Sequence, residues 1–217
     1  MSILSTLRAI FTLGKGVTVG LRELDAGSDP IALFGEWFEA AKRAGIFMPE
    51  SMALATATKD GAPSVRLVLL KRHDARGFVF FTNYGSRKAD ELADNPRAAL
   101  ALHWHVLERQ IRIEGPVEKI PYDESVAYFR TRARGSRIGA WASAQSRPLK
   151  SRAELEAKVR EFDRKFPGDD VPLPDFWGGY RVIPERIEFW QGKANRLHDR
   201  LLYERTDGGW RVTRLYP

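Results

Sequence analysis

Between residues 29 and 45 apolar side chains recur every three or four positions, and from residue 52 onward they tend to alternate with polar ones. That change of period marks where a helix gives way to sheet. Asp29-Pro30 supplies a cap and a first-turn proline, after which Ile31, Phe34, Trp37, Phe38 and Ala41 share one face. Strand-like segments follow at 52–58, 64–71 and 78–82, joined by turns at Lys59-Asp60-Gly61 and at 74–77, which predicts an antiparallel meander. Ser86 caps a short helix ending near Asn95-Pro96, and strands resume at 98–105 and 109–120. A helical block covers 122–132, 136–142 and 151–166, and the chain returns to strands at 180–191, 201–204 and 210–215. At least seven strands with helices inserted in two places predict a mainly β (α+β) fold with peripheral helices, an antiparallel barrel that is closed or partly closed. No linker or internal repeat divides residues 29–217, which read as one domain. Residues 1–28 read as a short amphipathic helix, with Ile3, Leu4, Leu7, Ile10 and Phe11 on one face, followed by a loop.

Composition narrows the chemistry. The 217 residues contain no cysteine, which removes disulfides, zinc-thiolate sites, iron–sulfur clusters and cysteine nucleophiles together. Arg8 interrupts the N-terminal apolar positions and no cleavage signal follows, so no signal peptide is expected. No window approaches the roughly 20 apolar residues of a membrane span, and a soluble, cytoplasmic protein is expected. The 35 Lys and Arg exceed the 28 Asp and Glu for a net charge of +7, but they are interspersed with acidic residues. A solvated surface with a few phosphate sites accounts for that pattern better than nucleic-acid binding does.

Three groups of residues are candidates for a site. Arg66 and Lys71 bracket an apolar strand, while Arg87 and Lys88 open a helix. Phosphate binding uses such cations and helix-terminal amides, although snorkelling surface cations would look the same. Gln110 and the Gln145-Ser146 pair add neutral groups of the kind that read the edge of a heteroaromatic ring. Tyr128, Arg132 and Ser136 are four residues apart, which suits one face of a helix and its C-terminal turn gripping a second phosphate, or else ordinary compensation of a helix dipole. In Arg196-Leu197-His198-Asp199-Arg200, an extended segment would point Arg196, His198 and Arg200 the same way. Other features are weaker. Gly14–Gly20 lacks the spacing of a phosphate loop. His103 and His105 share a strand face without a third ligand, so no metal is expected. His73 falls in a turn and is expected to be exposed.

Taken in order, these segments resemble the pyridoxine (pyridoxamine) 5'-phosphate oxidase family from about residue 29 to 217. The resemblance rests on 66–71, Phe81-Thr82-Asn83, Gly85-Ser86-Arg87-Lys88, Leu107-Glu108-Arg109-Gln110, Ile138-Gly139-Ala140-Trp141, Phe176-Trp177-Gly178-Gly179, 188–192 and 196–200. It implies a homodimer of FMN-binding split β-barrels with FMN at the subunit interface. Arg66, Arg87 and Lys88 would hold the FMN phosphate, with Leu67, Lys71, Phe81, Thr82, Gln110, Gln145, Ser146, Trp190 and Arg200 completing the cofactor site. Lys71, Tyr128, Arg132 and Ser136 would grip the substrate phosphate, with Arg196 and His198 as catalytic residues beside the pyridine ring. The implied reaction oxidises pyridoxine or pyridoxamine 5'-phosphate to pyridoxal 5'-phosphate by hydride transfer from C4' to the flavin, with O2 reduced to H2O2. The alternatives are a related flavin oxidase of phenazine-type biosynthesis and a non-catalytic flavin- or heme-binding split barrel. In one respect the chain departs from the family pattern: Gly20-Leu21-Arg22 is present, but 11–19 has no Arg-Glu-Tyr equivalent.

Overall fold

The computed structural model describes residue 21 and residues 29–217. The expected N-terminal helix and the Gly14–Gly20 segment lie outside the described residues. Helix α1 (Pro30–Arg43) begins as its sequence dictates, with the Asp29 carboxylate accepting the Ile31 N–H at 2.9 Å. Its apolar face buries Phe34, Trp37, Phe38 and Ala41, whereas Ile31 is only half-buried.

Ten antiparallel strands form one sheet: β1 (Ser51–Ala57), β2 (Pro63–Leu69), β3 (Arg72–Asp74), β4 (Gly77–Asn83), β5 (Arg97–Trp104), β6 (Arg109–Lys119), β7 (Trp177–Val182), β8 (Arg186–Gln191), β9 (Asp199–Thr206) and β10 (Gly209–Leu215). The main path runs β10-β9-β8-β6-β5-β1-β2, and a branch joins β3, β4 and β7 back to β6. The eleven-residue β6 therefore belongs to both branches, and the sheet curls into a split barrel. Gly115 lies where β6 passes from pairing β8 to pairing β7, and a Cβ there would sit 1.9 Å from the Ile183 carbonyl oxygen. Only glycine allows the two backbones to approach so closely.

Here the structure departs from the pattern. The single strand expected over 180–191 is two, because Pro184 cannot donate to a ladder and the chain turns there to change partners. His73 lies in β3, half-buried edge-on against Phe34 at 4.8 Å. Burial, with Lys42 nearby, pushes its pKa below the usual imidazole value.

The main core fills the barrel with Phe34, Met52, Leu54, Phe78, Phe80, Trp104, Ile111, Phe189 and Tyr203. A second, smaller core lies under three helices, α3 (Tyr122–Thr131), α4 (Arg134–Ala142) and α5 (Arg152–Lys165), and contains Phe129, Ile138, Val171, Leu173 and Trp177. The remaining helix, α2 (Arg87–Asp94), follows β4 directly.

Candidate active site

Between β2, the end of β4 and helices α2, α3 and α4 lies a cavity of about 860 Å³. Twelve residues singled out from the sequence line it: Arg66, Leu67, Lys71, Phe81, Thr82, Arg87, Lys88, Tyr128, Arg132, Ser136, Gln145 and Ser146. Both expected cation clusters thus open into the same space.

At one end, the Lys88 ammonium donates to Thr82 Oγ1 (3.0 Å), Ser86 Oγ (3.1 Å) and Gln145 Oε1 (2.8 Å), all neutral acceptors. The residue is 7% exposed. Burial, with added repulsion from Arg66, lowers its pKa to about 8. A buried cation solvated only by neutral oxygens favours an anion at this position. Arg66 is clamped from several sides. Its Nη1 reaches the Leu54 carbonyl (3.3 Å) and Thr56, while Nη2 reaches Ser64 Oγ (2.5 Å) and Glu91 (3.2 Å).

At the other end, Tyr128 stacks on Phe81 at 3.9 Å between ring centroids, and the Arg132 guanidinium lies 4.7 Å from the Trp177 ring. Arg132 Nη1 is buried without a hydrogen-bond partner among the described residues. Burial lowers the Arg132 pKa and raises that of Tyr128. A buried guanidinium donor without a partner in the wall of a cavity suits an anionic ligand there. The trio sits at a helix end and not along a single helix face: Arg132 caps α3 with extended backbone (ψ 144°), as a residue of its C-terminal turn, and Ser136 belongs to α4. The break between the helices brings the three side chains together.

The third group stands apart. Gln110, Trp190 and Arg200 are register partners across β6, β8 and β9 and form one cross-strand row. None of them lines the cavity, nor does Arg196 or His198. Along the sheet β6 is three strands from β2, roughly 14 Å, and β8 and β9 lie further still. Arg200 is held by Glu188 at 2.8 Å and by the Tyr216 carbonyl at 2.9 Å, and the Glu188 bond raises its pKa. The His198 ring packs 4.5 Å from that of Trp190, and its Nδ1 accepts the Lys193 N–H at 3.2 Å. When neutral, His198 therefore carries its proton on Nε2 and presents a donor outward. The expectation of an extended 196–200 segment is corrected. Residues Ala194–Arg196 form a 3-10 turn in which Asn195 (φ 57°) and Arg196 (φ 61°) are left-handed, so Arg196 does not continue the row of His198 and Arg200. Two consecutive non-glycine residues in that region cost on the order of 1–3 kcal/mol each, a strain concentrated at functional sites.

Residues 38–166 match the family model described as pyridoxamine 5'-phosphate oxidase, and residues 177–217 match the one described as the pyridoxine 5'-phosphate oxidase C-terminal dimerisation region. The chain belongs to the pyridoxamine 5'-phosphate oxidase family. Members named pyridoxine/pyridoxamine 5'-phosphate oxidase include one from Psychromonas ingrahamii, 56% identical over 217 residues covering 100% of both chains. Another from Rubrobacter xylanophilus is 61% identical over 198 residues, 91% of each chain. Among solved structures, PhzG from Burkholderia lata 383, crystallised with tetrahydrophenazine-1-carboxylic acid, superposes with a TM-score of 0.87 at 35% identity, covering 93% of this chain and 100% of that one. The fold is shared with a pyridoxamine 5'-phosphate oxidase-related, FMN-binding protein from Nostoc punctiforme, with a TM-score of 0.71 at 17% identity, covering 88% and 100%.

Within this family member, two site residues carried no role from the sequence. Trp177 forms part of the cavity wall under Arg132; its indole lies in an aromatic stretch that reads equally as core. Glu91 binds both Arg66 and Arg87, and its one sequence signal is the i,i+4 spacing from Arg87. Among the described residues no helix is long and apolar enough to cross a membrane.

Proposed function

We propose that the chain is an FMN-dependent oxidase that converts pyridoxine 5'-phosphate or pyridoxamine 5'-phosphate to pyridoxal 5'-phosphate. The observation that carries this reading is one cavity with an unanswered buried cation at each end, Lys88 and Arg132, which suits two phosphate-bearing molecules bound side by side. Arg66, Arg87 and Lys88 take the FMN phosphate, and Leu67, Phe81, Thr82, Gln145 and Ser146 flank the rest of the cofactor. FMN, when bound, would supply the redox chemistry: the substrate loses a hydride from C4' and a proton from its hydroxyl or amine, O2 takes up both to give H2O2, and for the amine water then hydrolyses the imine with release of ammonia.

The protein's part is positional. Lys71, Tyr128, Arg132 and Ser136 hold the substrate phosphate, so binding energy from a non-reacting group fixes the reacting carbon. Arg196 and His198 do not line this cavity, and a second copy supplies them together with Gln110, Trp190 and Arg200. A homodimer also explains β2, which among the described residues has no strand partner on its outer edge and exposes Val65 (69%) and Leu67 (74%). Residues 177–217, which match the dimerisation region, carry Trp190, Arg196, His198 and Arg200. The phenazine-type alternative has less support, since the relatives at 56% and 61% identity bear the pyridoxine name and PhzG stands at 35%.

The test is an absorbance spectrum of the purified protein, then pyridoxine 5'-phosphate under air. A flavin spectrum, pyridoxal 5'-phosphate and one peroxide per turnover are expected. Protein that neither carries nor takes up FMN would end the reading.

A further inference from the structure

Glu91 is 4% exposed and does not line the cavity, yet its carboxylate is tied to residues that do. Oε2 accepts from Ser64 Oγ (2.6 Å), from Arg66 Nη2 (3.2 Å) and from Thr56, while Oε1 accepts from Arg87 Nε (2.8 Å). We propose that Glu91 is the positioning residue of the cofactor-phosphate cradle, acting through Arg66 and Arg87 without touching the ligand. This rests on the flavin reading above.

Three observations carry it. First, a buried carboxylate bonded to arginines adds little to stability compared with an apolar replacement, so its presence here calls for a reason other than the fold. Second, Glu91 orients the forks. It takes the Nε of Arg87 and leaves both Nη groups of that side chain for a ligand, and with Ser64, Thr56 and the Leu54 carbonyl it fixes Arg66 in one plane. Third, it sets the charge. Arg66, Arg87 and Lys88 with Glu91 leave two net positive charges, matching a phosphate monoester that bears about two negative ones near neutral pH. Burial alone would raise the Glu91 pKa, but hydrogen bonds from Ser64, Thr56, Arg87 and Arg66 outweigh it and hold it at about 2, so the counter-charge persists at every working pH.

The test compares FMN with riboflavin, which lacks the phosphate, by fluorescence titration of flavin-free protein. In Glu91→Gln the FMN Kd should rise on the order of tenfold or more, the loss expected for charge-assisted bonds held in the wrong geometry, while the riboflavin Kd stays within about twofold. In an Arg66→Ala background the same substitution should cost FMN binding clearly less than it does in the wild type, because one of the two residues through which Glu91 acts is gone. A brace that served only the fold would lower the melting temperature and leave the FMN-to-riboflavin ratio alone. An unchanged ratio in Glu91→Gln, or a full penalty persisting beside Arg66→Ala, overturns the proposal. If Glu91→Gln does not fold, Ser64→Ala removes a hydroxyl shared by Glu91 and Arg66 and should lower the same ratio; no change there overturns it equally. Wild-type protein that binds FMN no better than riboflavin would instead refute the phosphate assignment itself.

Discussion

Lys88 makes cofactor affinity depend on pH in a way that can be worked out in advance. Burial chiefly, and Arg66 beside it, lowers its pKa from 10.5 to about 8 in the ligand-free protein. The shift corresponds to about 3 kcal/mol against the charged form. For the ligand-free fold this means that Lys88 disfavours the native state at pH below 8, and that its contribution to stability rises with pH between 8 and 10.5, where the unfolded chain holds the proton and the folded one does not. A bound phosphate reverses the preference, since it answers the charge that the neutral oxygens of Thr82, Ser86 and Gln145 leave uncompensated. FMN affinity should therefore be flat from about pH 7 to 8. Above that, Kd should climb toward one decade per pH unit, about tenfold weaker at pH 9 than at pH 7. Fluorescence titration across that range measures it. Lys88→Met should bind FMN on the order of 10–100-fold more weakly at pH 7 and lose the pH slope, while the ligand-free variant melts no lower than wild type because an uncompensated buried cation has gone. A flat wild-type profile, or the same slope surviving in Lys88→Met, would refute the argument.

Arg132→Ala should cut kcat/KM for pyridoxine 5'-phosphate on the order of a hundredfold and leave the poor activity on pyridoxine nearly unchanged, as read by peroxide release; equal losses on both would remove Arg132 from the phosphate grip. Val65→Glu places a charge on the exposed edge of β2 and should convert a dimer to a monomer with loss of flavin, seen by light scattering and absorbance together; a flavin-loaded dimer would show that this edge is not the interface. Gly115→Ala should destabilise by about 3 kcal/mol or more, because the atom it meets is the Ile183 backbone carbonyl, which cannot move aside; a chemical-denaturation midpoint equal to wild type would contradict that contact.

The fold was largely legible because period and punctuation agree with it. Asp29-Pro30 opens α1, and the Lys59-Asp60-Gly61 turn joins β1 to β2. Misreadings fell where tertiary context overrules local pattern. Pro184 splits an apolar run that looks continuous, because periodicity does not say when a strand changes partners. His73 looked like a turn residue because β3 has only three residues, and it is pairing with β4 that makes them a strand, while packing against Phe34 half-buries the ring.

The candidate site was legible to a different degree in each of its parts. Arg66, Arg87 and Lys88 are recognisable as cations near strand and helix ends, but what distinguishes them from surface cations is burial and neutral partners, which depend on Thr82, Gln145 and Glu91 arriving from elsewhere in the chain. Arg132 was identified through a spacing that suits a helix and its C-terminal turn, and it reaches the cavity because the helix ends at it. The 196–200 segment resisted reading most. Alternation presumes extended backbone, and Asn195 and Arg196 adopt left-handed conformations that their side chains do not announce. Its companions Gln110, Trp190 and Arg200 form a coherent row across β6, β8 and β9 that does not line the cavity, which is why a second copy is proposed to bring the two groups together. Charge distribution agrees with that division. In the cavity half Lys88 is bonded to neutral oxygens and Arg132 keeps an unpaired donor beside the Glu91-paired Arg66 and Arg87, whereas Arg200 in the row is bonded to Glu188. Three cations against the single carboxylate of Glu91 suit the cavity half to a phosphate, and the Trp190–His198 ring pair beside Arg200 suits the row to ring contact, which is the division of roles proposed above.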